Sequence, residues 1–158
     1  MLVEWLHALH SWEVAALVRR SLYVYPLLNA THILALTLLV GCVVPADLRM
    51  LGLFGAVESG PFLKLMTAIS ATGLVLAVAT GFLLFSVQPL EYASNPAFLT
   101  KVSLVALGTV NAIAIRVSAA WQKATIEGAV SPGLRVAALL SLTIWIAALV
   151  AGRWIAFI

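Results

Sequence analysis

The sequence predicts an all-α integral membrane protein, an up-down four-helix bundle with an N-terminal interfacial amphipathic helix. Three observations lead there. Four long apolar runs, at about residues 22–44, 62–87, 98–117 and 136–158, are separated by short polar links. Each run is close to the ~20 residues with which a helix crosses the hydrocarbon of a bilayer. Of the 158 residues, 63% are hydrophobic and 9% are charged, where a soluble domain carries about 25% charged residues. Hydrocarbon offers the backbone no hydrogen bonds, so each run must be a helix that satisfies its own N–H and C=O groups. Four such spans use up the chain, which reads as one domain over 1–158 with no separate soluble module.

Residues 2–18 carry Leu2, Trp5, Leu6, Leu9, Trp12 and Ala16 at helical spacing, with Glu4, His7, Ser11 and Glu13 largely elsewhere. That pattern predicts a helix lying in the interface. It is too short and too polar to span. It also lacks the basic start of a secretory signal peptide, so the first span is expected to act as an uncleaved insertion signal. Arg19 and Arg20 then mark the water boundary, and Tyr23 and Tyr25 form an aromatic collar. The first span is expected to end near Pro45, with Asp47 and Arg49 at the interface and paired with polar groups of the loop. The links 50–61, 88–97 and 118–135 carry glycines, prolines or both and predict turns.

Small residues recur every four positions: Gly73, Ala77 and Gly81 on the second span, Gly108 and Ala112 on the third, Ala148 and Gly152 on the fourth. Such ridges let backbones approach closely in lipid, within the bundle or against a partner. The net charge of +3 comes from Arg and Lys at span ends and forms no nucleic-acid patch. Four spans put both termini and the 88–97 link on one side. That link has no Lys or Arg, which places it and the termini outside the cytoplasm of a bacterial inner membrane. Cys42 is the single cysteine and is expected to be a packing residue.

Polar groups inside spans are candidate functional residues. Tyr25, Asn29 and His32 lie at i, i+4 and i+7 on the first span and share one face. Asn111, Thr80 and Thr143 sit at comparable depths on other spans, and Asn111 is the expected partner of His32. Lys101, within the first turn of the third span, is a snorkelling anchor or a donor to an anionic headgroup or a quinone oxygen. A buried imidazole suits haem iron, but a bis-histidine haem b needs a second histidine within a span, and His32 is alone. Cys42 is about 15 Å along the helix from His32, at ~1.5 Å per residue, so the two cannot share a copper ion.

Taken together, Tyr25-Pro26, His32, Gly41, Asp47-Leu48-Arg49, Leu51-Gly52, Thr80-Gly81, Leu84-Phe85, Asn95-Pro96-Ala97-Phe98, Lys101, Asn111, Ser141-Leu142, Trp145 and Ala151-Gly152-Arg153 resemble a group of bacterial four-span membrane proteins of uncharacterised function. These are distantly similar to copper-resistance-D-like and cytochrome-b-like bundles. The resemblance spans nearly the whole chain and implies the bundle fold. Where relatives carry a histidine after the asparagine of the third span, this chain has Arg116, which departs from a family-type haem pair.

The expected function is a non-enzymatic accessory or assembly subunit of a larger inner-membrane complex, with a small pocket at His32. Its partners are the lipid bilayer and a second copy or other membrane subunits. The alternative is a membrane redox protein holding haem b or a quinone near His32. A metal or solute transporter ranks third, because the interior is poor in charge.

Overall fold

The computed structural model describes residues 1–155 and 157, and the backbone alone of Leu2. The end of the fourth predicted run, at 156 and 158, lies outside the described residues. Among the described residues there are eight helices and no strand: α1 (Leu2–Ser11), α2 (Glu13–Arg20), α3 (Val24–Met50), α4 (Ser59–Val87), α5 (Pro89–Ser94), α6 (Pro96–Val117), α7 (Ala119–Ile126) and α8 (Pro132–Trp154). Four of them, α3, α4, α6 and α8, are long and apolar enough to cross a membrane.

Helix starts follow local chemistry. Asn95 Oδ1 accepts from the amides of Ala97 and Phe98 at 2.9 and 3.1 Å. Ser131 Oγ accepts from the Leu134 amide at 3.2 Å. Each cap precedes a proline at the first helical position, whose missing N–H costs nothing there. So α6 and α8 begin at Pro96 and Pro132, earlier than the apolar runs alone suggest.

Two boundaries differ more. The 2–18 segment is not one helix: Trp12, with φ −59° and ψ 135°, breaks it into α1 and α2. The first span does not stop at Pro45 but runs through it to Met50. Proline removes the bond to the carbonyl four residues back, that of Gly41, and its ring crowds that turn. A methyl group at Gly41 would meet nothing within 4 Å beyond the local helix backbone. The link after Met50 turns sharply, with Gly52 at φ +106° and Phe54 at φ +57°. Glycine takes the left-handed conformation without strain.

The long helices associate as two antiparallel pairs. In the α3/α4 pair, a methyl at Gly73 would lie 2.5 Å from the Leu39 amide nitrogen and 2.9 Å from the Ala35 carbonyl oxygen. Further along, Gly81 faces the His32 ring. In the α6/α8 pair, Gly108 faces the Trp145 indole and Gly152 faces the Lys101 side chain. The small-residue ridges, with Ala77 and Ala148 buried beside these glycines, are thus used inside the chain. The two pairs join along α3 and α8.

The remaining edge is open. Among the described residues no Cα of α4 comes within 8 Å of a Cα of α6. Two side-chain rungs cross it. Phe85 stacks on Phe98 with centroids 5.3 Å apart, and Arg116 Nη2 donates to the Thr67 carbonyl at 2.8 Å.

The bundle ends are covered differently. At one end α7 packs against α4 and α8, over a core that includes Ala46, Met50, Leu63, Ile115, Ala124, Leu134 and Ala138. At the other, α1, α2 and α5 pack on the ends of α3, α4 and α6. Arg19 clamps this end. Its Nη1 donates to the Val87 carbonyl at 3.1 Å and its Nη2 to the His10 carbonyl at 3.2 Å. Val87 ends α4, so Arg19 satisfies one of the carbonyls that a helix terminus leaves without an intrahelical donor.

Gly73→Ala should destabilise the protein by roughly 1–3 kcal/mol, the usual range for overpacking, because the methyl would strike backbone. Gly41→Ala, in open space, should be neutral or slightly stabilising. Thermal unfolding in one mild detergent checks both; equal effects would contradict the α3/α4 contact.

Candidate functional site

The polar stripe of α3 is brought to the α5 end of the bundle, where α3, α4, α5, α6 and α8 each contribute residues. His32 meets Thr80 of α4, with Nδ1 and Oγ1 2.8 Å apart. The tautomer follows from counting protons. The Thr80 hydroxyl has one hydrogen, and it is donated to the Leu76 carbonyl at 2.6 Å. Towards the imidazole Oγ1 therefore accepts, and His32 Nδ1–H donates. This leaves Nε2 with the lone pair.

Lys101 lies over Gly152, where a methyl would come within 3.3 Å of its Cε. Its ammonium acts electrostatically on the His32 ring. One turn towards the water, Phe85, Tyr92 and Phe98 form an aromatic cluster with centroids 5.3 to 6.3 Å apart. The Tyr92 phenol is pushed up from its ordinary pKa by burial first, then by Tyr25 and Glu91. It is an O–H donor at neutral pH. Tyr25 is near enough to Tyr92 to contribute to that effect, and it is itself exposed.

Other predicted partners go elsewhere. Asn111 does not meet His32: its Nδ2 donates to the Ala137 carbonyl of α8 at 3.1 Å. Thr143 is exposed and donates to the Leu139 carbonyl of its own helix at 2.9 Å. Asn29 is exposed on the outer face of α3. Of the stripe Tyr25–Asn29–His32, only the deepest member is thus turned against α4. A face defined by sequence spacing is wider than the contact a neighbouring helix covers.

The arrangement offers a lone-pair acceptor, a cationic donor and an aromatic wall. It does not assemble a haem ligand pair. His10 Nδ1 is engaged with Arg19 Nη1 at 3.2 Å, and His7 is exposed on α1. Among the described residues no group of three or more His, Cys, Asp or Glu side chains gathers to hold a metal ion.

A second polar site was not anticipated. Asp47 is not at a loop. It is 3% exposed, inside α3, and faces Ser141 of α8. Its Oδ2 has no hydrogen-bond partner. Trp145, one turn beyond Ser141 and 2% exposed, has an unpartnered Nε1. The sequence held a partial signal. Ser141 and Trp145 are spaced i, i+4 on a mainly apolar helix, and proline is tolerated inside membrane helices. Arg49, by contrast, does reach the loop, donating from Nε to the Val57 carbonyl at 3.0 Å.

The chain matches no protein-family model, no curated protein and no solved structure.

Thr80→Val keeps the shape of the threonine but removes the acceptor for His32 Nδ1–H. It should cost about 1–3 kcal/mol, the penalty of an unsatisfied buried donor, and Thr80→Ser should restore most of it. Denaturation of the three proteins in one detergent checks this. Equal stability of the valine and serine variants would contradict the assigned hydrogen bond.

Proposed function

We propose that the chain is a multi-pass protein of a bacterial inner membrane and serves as a non-enzymatic accessory or assembly subunit of a larger membrane complex. The observation that carries this reading is the open edge between α4 and α6. A self-sufficient four-helix bundle closes all of its edges by helix–helix packing. Here one edge is held by two side-chain rungs, and Val78, Val102 and Val110 are exposed on the helices that flank it. The partner is a second copy or another membrane subunit, presenting a helix or a lipid-like surface to that edge.

In this reading the bundle is up-down, with α1 and α2 in the interface and Trp5 at headgroup depth. Charge supports the orientation. Arg49, Lys64, Arg116, Lys123 and Arg135 belong to the α7 end. The α5 end has Arg19, Arg20 and Arg153, since Lys101 is drawn in against Gly152. The more basic α7 end is cytoplasmic and both termini are outside.

A redox role is the second reading. The fixed Nδ1–H tautomer of His32, with Nε2 left as acceptor near the Lys101 donor, supports a quinone headgroup better than haem b. A quinol hydroxyl would donate to Nε2 and a quinone oxygen would accept from Lys101. Haem b would be limited to one axial histidine from this chain.

Cross-linking in native membranes followed by sizing in mild detergent tests the leading reading. A particle larger than the monomer is expected, and a strictly monomeric species under both conditions would contradict it. For orientation, single cysteines at Glu58 and Ser94, in a Cys42→Ser background, should react with impermeant maleimide from opposite faces. For the redox reading, purified protein should carry extractable quinone without a Soret band. Loss of that quinone in His32→Leu is expected, and a protein free of quinone and of visible absorption would remove the reading.

A further inference from the structure

The Asp47 site has no part in either reading above. A carboxylate withdrawn from water into apolar surroundings is costly unless it pairs with a cation, binds a metal ion or takes up a proton. The first route is closed. Among the described residues the one ion pair joins the N-terminal amine to Glu4. The cations of the elements around Asp47 are engaged or point outward. On α3 Arg49 is bound to the Val57 carbonyl, and on α6 Arg116 is bound to the Thr67 carbonyl. Lys64 of α4, Lys123 of α7 and Arg135 of α8 are exposed. The second route lacks donors: among the described residues no group of three His, Cys, Asp or Glu side chains includes Asp47.

We propose that Asp47 and Ser141 form an intramembrane proton-binding site, in which the carboxyl between α3 and α8 takes up a proton from the aqueous side at α7 and shares a hydrogen bond with the Ser141 hydroxyl. The ligand is the proton. The geometry suits it: one buried oxygen with no partner, one hydroxyl that can donate or accept, and a position three residues from the end of α3. That end is ~5 Å from Asp47 at ~1.5 Å per residue, so a proton has about one helical turn to travel from the loop.

A hydrophobic carbodiimide tests the assignment. It reacts with a protonated carboxyl in an apolar setting. The acid proton moves to one carbodiimide nitrogen and the carboxylate oxygen bonds the central carbon. The acyl group then migrates to nitrogen as a stable N-acylurea, with nothing lost. Full-length protein in native membranes is treated with dicyclohexylcarbodiimide and mapped by peptide mass spectrometry. One adduct is expected, on Asp47, with Glu4, Glu13, Glu58, Glu91 and Glu127 unmodified near neutral pH. Labelling should fall roughly tenfold per pH unit above its midpoint, as the protonated fraction does. It should be the same in sodium and choline salts. Asp47→Asn should abolish it. If that variant does not fold, the pH profile and salt comparison on the unaltered protein decide alone. No adduct on Asp47 at mildly acidic pH, an adduct independent of pH, or protection by sodium would each overturn the proposal, the last in favour of a metal cation.

Discussion

Glycine clearance is the constraint on which the long helices depend. Lipid tails are as apolar as leucine, so burial of hydrocarbon does not drive one span onto another. Association must come from close approach and from polar contacts that lipid cannot supply. Within the two helix pairs the chain places a glycine where a side chain or backbone stretch comes close: Gly73 against the α3 backbone, Gly81 against His32, Gly108 against Trp145, Gly152 against Lys101. Two of these positions admit polar side chains, those of His32 and Lys101. The packing of α3 on α4 and of α6 on α8, and the placing of His32 and Lys101, are thus one arrangement seen at different points.

The α4/α6 edge is held differently. No matching set of glycines faces across from α4 to α6. Aromatic stacking at Phe85 and Phe98 and the reach of Arg116 hold that edge at side-chain distance instead. The α7 end is then sealed by a conventional apolar core, within which Asp47 is an exception that demands a chemical explanation.

Much of the fold was legible because hydrocarbon imposes a simple rule. Runs of about twenty apolar residues must be helices, and four were found. The small-residue spacing also marked residues that prove to be at helix contacts. The misses have physical causes. Pro45 reads as a stop in water, but a membrane helix tolerates it where the preceding turn can bend. Trp12 gave no breaker signal, and the two helices that it separates pack on α5 and α4. The choice of Thr80 over Asn111 as the His32 partner depends on which spans are neighbours. That is a property of helix pairing, not of depth along each helix. The burial of Asp47 followed from the same two unknowns, the length of α3 and its contact with α8.

The open edge is the claim on which the rest turns, and disulfide formation probes it directly. Val78 and Val105 stand opposite each other in the register set by Phe85–Phe98 and Thr67–Arg116. With Cys42 replaced by serine, cysteines at these two positions are oxidised in membranes. A disulfide requires Cα atoms about 4.4–6.8 Å apart, closer than any Cα pair between α4 and α6. No intrachain disulfide should form, while a long flexible bis-maleimide should link the same two thiols. Rapid, complete disulfide formation would show a closed bundle and contradict the account.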